Sequence, residues 1–476
     1  LDYQHDAGID WFVFAEDSMS DMISTPDTPG RALIVGLGET GVAAARWCAR
    51  QGMALRIVDT RQAPSGLDAL KESLGERTAV EYLLGVEAFA PSLLEDVSFL
   101  VLSPGLAPGL SPVKELLEAA TQAKVEIVGE IELFARALHA LNAQQQYAPR
   151  VVGITGTNGK TTVTALTRHM LEAAGIKARV AGNISPAALQ ALMEALDQND
   201  LPQVWVLELS SFQLETTSSL KMIAATVLNV TQDHLDWHGS MQAYANAKAR
   251  IFAMADLCVV NRDDAFVMGM IENLHNMHVR SFGRDAPMYA GDVGIETSHD
   301  VSWLVASQAN EFEEDAAAAP KRKKGAAPPQ RQPGRLVRLM PVEALVIQGL
   351  HNALNFQVSA LLAIAAGASW GPAVRAARDY AGERHRMEFI RSIRGIDFFN
   401  DSKGTNVGAT VAGLEGLGRR SVLIAGGLGK GQDFSPLMSV VARHVKAVIL
   451  IGQDAPILLD TLSGTGVPCE LASDLT

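Results

Sequence analysis

A chain of 476 residues is longer than one hydrophobic core supports, so about two to four domains are expected. Its 48% hydrophobic and 20% charged content is that of an ordinary globular protein, and a net charge of −13 argues against a nucleic-acid-binding surface. No apolar run reaches the roughly 18 residues that a membrane helix needs, so no span is expected. Cys48, Cys258 and Cys469 lack metal-ligand spacing and read as incidental thiols of a reducing cytosol. Residues 1–30 contain neither a basic segment followed by an apolar one nor an initiator Met. They are read as an extension ahead of the first strand, not as a secretory signal.

Residues 32–35 (ALIV) form an apolar run that leads into GLGETG, with Gly36, Gly38 and Gly41. A helical pattern continues to Arg50, and a second strand, ALRIVD, ends at Asp59. This is a βαβ opening with a dinucleotide-type glycine turn. Strands are expected at 98–102, which runs into Ser103-Pro104-Gly105, and at 125–128. Residues 139–150 read as a linker, so the first domain is placed at 31–138.

The second unit, 139–382, is expected to have strands at 151–155, 178–181, 204–209, 224–230, 257–260 and 278–282. Residues 309–335, rich in Ala, Pro and charge, read as a flexible surface loop between strands. A helix is expected at 352–366. The third unit, 383–476, restarts at 387–400 and continues through 421–425 and 447–451. Three βα-rich segments predict an α/β fold of three domains with mainly parallel sheets.

The segment VVGITGTNGKTT at 151–162 carries the strongest chemical signal. An apolar strand enters a Gly-rich turn, and Lys160-Thr161-Thr162 opens a helix. Backbone N–H groups, a helix N-terminus and an ammonium then surround one anion. Lys160 suits the β/γ-phosphates of ATP, and a hydroxyl of Thr161 or Thr162 suits Mg²⁺. The loop is not a strict G-x-x-x-x-G-K-[ST] match, because position 154 is Ile and the first Gly is Gly153.

Glu208 ends the run VWVLEL, where a carboxylate ligand for Mg²⁺ belongs; the plainer reading is a solvent-facing strand end. Ser210 to Gln213 add polar groups at the same edge. The segment 229–252 holds Asp233, His234, Asp236, His238 and Lys248. His234 is a metal ligand, a substrate anchor or a structural histidine. Lys248 can ligate a metal only as a carbamate, because an ammonium has no lone pair.

ERHRMEF places His385 and Arg386 at the entry to the third unit, and NDSKGTN packs Asp401, Ser402, Lys403, Thr405 and Asn406 together. Such groups suit ribose hydroxyls, a γ-phosphate and developing negative charge. A capped helix start explains one of them, Asp401 or Ser402. AGGLGKGQDF adds a Gly-rich strand end with Lys430. The first glycine turn and Asp59 also fit a nicotinamide-dependent dehydrogenase, but a second lysine-bearing loop has no place there.

TGTNGKTT, ELSSFQLE, NVTQDHLD, GLHNALN, ERHR and NDSKGTN stand in the order found in the Mur ligase family of peptidoglycan synthesis. The chain resembles that family from about Arg31 to its end. The resemblance implies an N-terminal Rossmann-like domain, a central P-loop ATPase-like domain and a C-terminal Rossmann-like domain. DSKGTN, GLGETG and the DTR at 59–61 resemble the branch that uses ATP to add D-glutamate to UDP-N-acetylmuramoyl-L-alanine.

The resemblance also implies roles. The glycine turn holds UDP and not NAD, with Thr40, Asp59, Thr60, Arg61, Ser103 and Gly105 near uracil and phosphates. Asn183, Ser210, Gln213 and His234 line the path of the sugar-peptide. Gly156, Thr157, Asn158, Gly159, Lys160, Thr161, Thr162, Asn352, Asn355, Arg386 and Asp401 hold ATP. Thr161, Glu208, His234 and carbamylated Lys248 organise a pair of Mg²⁺ ions. Lys403, Thr405 and Lys430 hold D-glutamate, and Lys160, His234, Lys248, Arg386 and Lys403 form the catalytic set. The implied enzyme is a cytoplasmic monomer that works through an acyl phosphate. The family pattern continues past Thr476 with a segment that clamps D-glutamate. The third domain is therefore expected to be incomplete, and a binding fragment without full activity is the alternative.

Overall fold

The computed structural model describes residues 30–75, 78–272, 278–309, 331–429 and 431–474. In the first domain, β1 (Arg31–Val35), β2 (Ala54–Asp59), β3 (Val80–Leu84), β4 (Val97–Leu102) and β5 (Glu126–Val128) form one parallel sheet. Its order is β3-β2-β1-β4-β5, so the direction of winding reverses between β1 and β4. A ligand crevice opens at such a reversal, beyond the strand C-termini. GLGETG sits there, leading into α1 (Glu39–Arg50). Helices α2 (Leu67–Leu74) and α3 (Val113–Gln122) complete the layers.

Helix α4 (Glu130–Gln145) leads into the central domain. This corrects the linker expected at 139–150. Leu133, Phe134, Ala137, Leu138 and Leu141 recur at helical spacing and are buried, so the polar Asn142–Gln145 end is the last turn of an amphipathic helix.

The central sheet contains β6 (Arg150–Thr155), β7 (Ala178–Gly182), β8 (Val204–Glu208), β9 (Ala224–Val227), β10 (Leu257–Asn261) and β11 (His278–Phe282). Its order is β11-β10-β9-β6-β8-β7, all parallel. The helices between these strands are α5 (Lys160–Ala173), α6 (Ala188–Asp197), α7 (Ser211–Glu215), α8 (Leu235–His238), α9 (Met241–Ala253) and α10 (Ala265–Ile271). An antiparallel sheet that sequence patterning does not predict follows: β12 (Val293–Ser298), β13 (Val301–Gln308) and β14 (Arg335–Pro341). Its first hairpin turns at His299-Asp300, both with positive φ (51° and 61°). This is the backbone of a primed turn without the usual Asn-Gly signal. Strand β3 is a further addition to the expected set. Most of the low-complexity segment, 310–330, lies outside the described residues, between β13 and β14.

Helices α11 (Leu350–Ala365) and α12 (Trp370–Asp379) close the central domain against α5. The third domain opens with an antiparallel hairpin, β15 (Glu388–Ile393) and β16 (Ile396–Asn400). A parallel sheet follows, with β17 (Ser421–Gly426), β18 (Val445–Ile451) and β19 (Cys469–Leu471), and with α13 (Val407–Gly416), α14 (Leu437–His444) and α15 (Ala455–Leu462).

The first and central domains share one hydrophobic cluster, in which Ala45, Phe134, Leu138, Leu189 and Trp205 are all buried. The third domain has its own, built on Leu414, Val441, Leu450 and Leu458. The first two domains are therefore packed through one core, whereas the third is joined through the mainly polar contacts described below. Among the described helices none is long and apolar enough to cross a membrane.

Glu130 lies fully buried where α4 meets α6, and burial raises its carboxyl to about 7. Its Oε1 accepts from Leu189 N–H at 2.5 Å, while Oε2 is buried without a partner among the described residues. A carboxyl raised in the fold above its unfolded value stabilises less as pH rises through that window. Relative to E130Q, the wild type is expected to lose up to about 1.4 kcal/mol per pH unit between about pH 5.5 and 7. Urea midpoints of the two proteins at about pH 5.5 and 8 test this; a constant difference between them would refute it.

Candidate active site

The phosphate loop follows β6 as the pattern predicts. Gly156 (φ +154°) and Gly159 (φ +85°) hold backbone that a side chain disfavours, and Gly159 is the N-cap of α5. A Cβ on Gly156 would stand 2.8 Å from Leu228 Cβ, so this position also needs the missing side chain for space. Asn229, after β9, brackets the loop: its Oδ1 accepts from Asn158 N–H at 2.8 Å and its Nδ2 donates to Asn158 O at 3.1 Å. Thr157 Oγ1 lies 3.2 Å from the Tyr244 hydroxyl and accepts from Thr231 N–H at 3.0 Å.

Two lysines 88 positions apart meet at this loop. Lys160 Nζ donates to the Gly156 and Thr157 carbonyls at 2.9 and 3.0 Å. Lys248 Nζ, from α9, donates to the same Gly156 carbonyl at 3.1 Å and lies 4.3 Å from the centre of the Tyr244 ring. Burial lowers both pKa values. Lys248, at 1% exposure and with Lys160 beside it, is held well below the usual ammonium range.

Glu208 ends β8 and is buried. Its Oε1 accepts from Asn183 Nδ2 at 2.8 Å, and its backbone carbonyl accepts from Asn183 N–H at 2.7 Å. Its Oε2 is buried and has no partner among the described residues. A carboxylate oxygen left unpaired beside a phosphate loop fits a cation. No three His, Cys, Asp or Glu side chains gather into a metal cluster among the described residues. The Glu208 carboxylate and the Thr161 hydroxyl are oxygen donors of the kind that Mg²⁺ takes.

His234 caps α8 with left-handed backbone (φ +54°), and its ring packs 4.9 Å from Phe212 and 6.2 Å from Tyr244. Its Nε2 is 3.6 Å from Asp233 Oδ2. His238, at the far end of that turn, lies 2.9 Å from the Ser211 hydroxyl, and burial lowers its pKa to about 4. His234 and His238 thus pack around Tyr244, whose hydroxyl reaches Thr157 of the phosphate loop. Tyr244 has no signal in the sequence, because nothing local marks an aromatic that packs against a lysine.

Across the junction, Arg386 Nη2 donates to Thr161 Oγ1 at 2.7 Å, and Asn406 Nδ2 donates to Asn158 Oδ1 at 2.8 Å. Asn406 is also the N-cap of α13, the role expected for Asp401 or Ser402. Asp401 accepts from Met387 N–H at 2.9 Å, and burial raises its carboxyl. A cavity of about 350 Å³ lies between the two domains, lined by Asn158, Gly159, Thr162, Asn352, Asn355, Arg386, Asp401 and Lys403. Asn229, Thr231, Asp263, Arg284 and His351 line it too and were not expected. Thr405 is not in this lining; its N–H donates to Lys403 O at 3.0 Å. Lys430 lies outside the described residues.

In the first domain, Asp59 is occupied within the protein. Its carboxylate accepts from Leu37 N–H at 2.8 Å, Arg61 N–H at 2.9 Å and Arg61 Nη2 at 2.7 Å. It thereby ties the glycine turn to Arg61, while Thr60 is exposed. Ser103 Oγ donates to Gly36 O at 2.7 Å, and a Cβ on Gly41 would stand 2.0 Å from that same oxygen. Thr40 follows in the first turn of α1, and Gly105 is exposed with open space around it. Ser210 and Gln213 form a reciprocal capping box on α7. These groups set the crevice's shape, which local patterning does not reveal.

Family models match three stretches: "Mur ligase MurD-like, N-terminal domain" over residues 30–129, "Mur ligase middle domain" over 154–317 and "Mur ligase, glutamate ligase domain" over 385–476. A UDP-N-acetylmuramoylalanine–D-glutamate ligase of Bordetella bronchiseptica is 63% identical over 444 residues, 93% of this chain and 87% of that protein. The ligase of the same description from Ralstonia nicotianae is 51% identical over 444 residues, with the same two coverages. Among solved structures, the UDP-N-acetylmuramate-alanine ligase of Thermotoga maritima aligns with a TM-score of 0.53 at 16% identity, covering 94% of this chain and 90% of that one. That last likeness concerns the fold.

Proposed function

The chain belongs to the Mur ligase family, and we propose that it is the ATP-dependent ligase that joins D-glutamate to UDP-N-acetylmuramoyl-L-alanine in peptidoglycan precursor synthesis. The observation that carries the chemistry is the meeting of Arg386 with Thr161 at the phosphate loop. It sets a guanidinium of the third domain against a hydroxyl of the loop, which supports a role for Arg386 beside the γ-phosphate.

The physical problem is charge. A carboxylate must approach a polyanionic triphosphate, and the two repel. Lys160 and Arg386 offset that repulsion, so the L-alanyl carboxylate can attack the γ-phosphorus while ADP leaves. The product is an acyl phosphate. The D-glutamate amine then attacks its carbonyl carbon, a proton leaves the nitrogen, and phosphate departs as the amide forms.

Glu208 and Thr161, with carbamylated Lys248 and His234, would hold Mg²⁺, which supplies charge neutralisation at the phosphates. Asn352, Asn355 and Asp401 border the nucleotide cavity, and Lys403 reaches its rim from the third domain. We assign Thr40, Arg61, Ser103 and Gly105 to the UDP end, and Lys403, Thr405 and Lys430 to D-glutamate. Since water would hydrolyse the acyl phosphate, the separately packed third domain closes over it during the reaction. The reading includes a cytoplasmic location and a monomeric state.

Sustained phosphate release from ATP is expected only when UDP-N-acetylmuramoyl-L-alanine, D-glutamate and Mg²⁺ are all present. Omitting each in turn is the test. Tight NAD binding at the first domain without binding of the UDP-sugar would overturn the reading.

A further inference from the structure

The first residues of α1 and α4 are both glutamates, and both end on one helix of the central domain. Glu39 Oε1 accepts from the Ser185 hydroxyl at 2.7 Å and from Ala187 N–H at 3.2 Å. Glu130 Oε1 accepts from Leu189 N–H. Helix α6 has no side-chain cap from its own N-cap residue, Ala187. Orphan N–H groups at its start are thus satisfied by carboxylates from outside the central domain's sheet, placed where a helix terminus favours negative charge. Further along, Arg46 donates to Gln190 Oε1 at 3.2 Å and Arg50 pairs with Asp197 at 2.7 Å, so α1 runs beside α6.

What lies at either end of this contact gives it meaning. Glu39 directly follows Gly38 of the glycine turn and precedes Thr40. Ser185 is two residues from Asn183, which donates both its backbone N–H and its side-chain amide to Glu208. The 183–187 loop is therefore held at one end by the candidate metal carboxylate and at the other by the turn assigned to UDP. Glu39 is itself exposed, so its replacement need not disturb the core.

We propose that Glu39 is a positioning residue that makes binding of the UDP substrate and binding of the metal–nucleotide mutually reinforcing, through the 183–187 loop. This rests on the functional reading given above. Coupling of this kind is reciprocal, and about 5-fold or more is typical of coupled sites.

The test is calorimetric titration of UDP-N-acetylmuramoyl-L-alanine into the full chain, with and without Mg²⁺ and a β,γ-methylene ATP analogue. In the wild type each ligand is expected to tighten the other about 5-fold or more. In E39A and in S185A that factor, a ratio from which any change in the binding of either ligand alone cancels, is expected to fall toward about 1. E39Q, whose amide oxygen still accepts, is expected to keep most of it. A cap of purely structural importance would lower the melting temperature and leave the factor alone. A factor unchanged in both E39A and S185A, or absent from a wild type that binds both ligands, overturns the inference only. A wild type that binds neither ligand overturns the functional reading and this inference with it.

Discussion

The Lys248→Ala enzyme is expected to lose turnover by at least about 10²–10³-fold, the size of effect seen when one preorganised charged or hydrogen-bonding group is removed from a reaction site. A lysine at 1% exposure, with a second lysine donating to the same carbonyl, is poorly solvated and repelled. Burial and Lys160 both favour its neutral amine. A neutral amine can add to the carbon of CO₂, lose a proton and become a carbamate. That step replaces a repulsion with an attraction toward Lys160 and creates the anionic oxygens a Mg²⁺ ion needs. Small carboxylates such as formate or acetate are expected to restore part of the lost activity in Lys248→Ala, measured as phosphate release.

The sign with pH follows. The amine is neutral above its folded pKa, so recarbamylation after CO₂ removal is expected to slow as pH falls through that value. Lys248→Met, which removes the buried charge while keeping the volume, is expected to melt no lower than wild type. Near-normal turnover in Lys248→Ala would remove Lys248 from the mechanism.

Lys160→Ala is expected to show the second large effect, about 10²–10³-fold in turnover with a matching weakening of ATP binding. Lys160 Nζ is held against the loop by the Gly156 and Thr157 carbonyls. Among the groups acting on it, Glu208 and Asp233 favour its charge, while Arg386 opposes it. Binding of the UDP substrate, whose candidate contacts (Thr40, Arg61, Ser103 and Gly105 in the first domain, Asn183, Ser210, Gln213 and His234 in the central one) do not include Lys160, is expected to stay within about 2-fold, as for a site that does not share the deleted group. Titration calorimetry with each ligand separates the two. Unchanged ATP affinity together with unchanged turnover would refute the assignment.

The central strands and the phosphate loop were legible because their signals are local. A glycine at positive φ, an apolar run that ends on Glu208 and a Lys-Thr-Thr helix start are each written within a few residues. Helix α4 was legible in principle: Leu133, Ala137, Leu138 and Leu141 carry the period, but the run of glutamines after Asn142 masked it. The β12–β14 sheet was not, since its turn, His299-Asp300, lacks the glycine that flags a hairpin. The spread of the interdomain cavity to Asn229, Asp263 and Arg284 had no signal of its own, because ordinary polar residues come to line a cavity only by position.

The sequence by itself determined the three α/β units, the ATP-phosphate loop and the set of candidate residues, because periodicity, glycine placement and short motifs act over one turn of chain. Only the tertiary structure decided how those residues meet. It brought Lys248 onto the carbonyl that Lys160 also uses, left one oxygen of Glu208 without a partner among the described residues, tied Asp59 to Arg61 and the glycine turn, and set Glu39 against Ser185. Most of these contacts join residues far apart in the chain, and local preferences carry no information about such separations. Burial and charge at each meeting point then set the direction in which each lysine is shifted: both are lowered, and Lys248 well below its ordinary range.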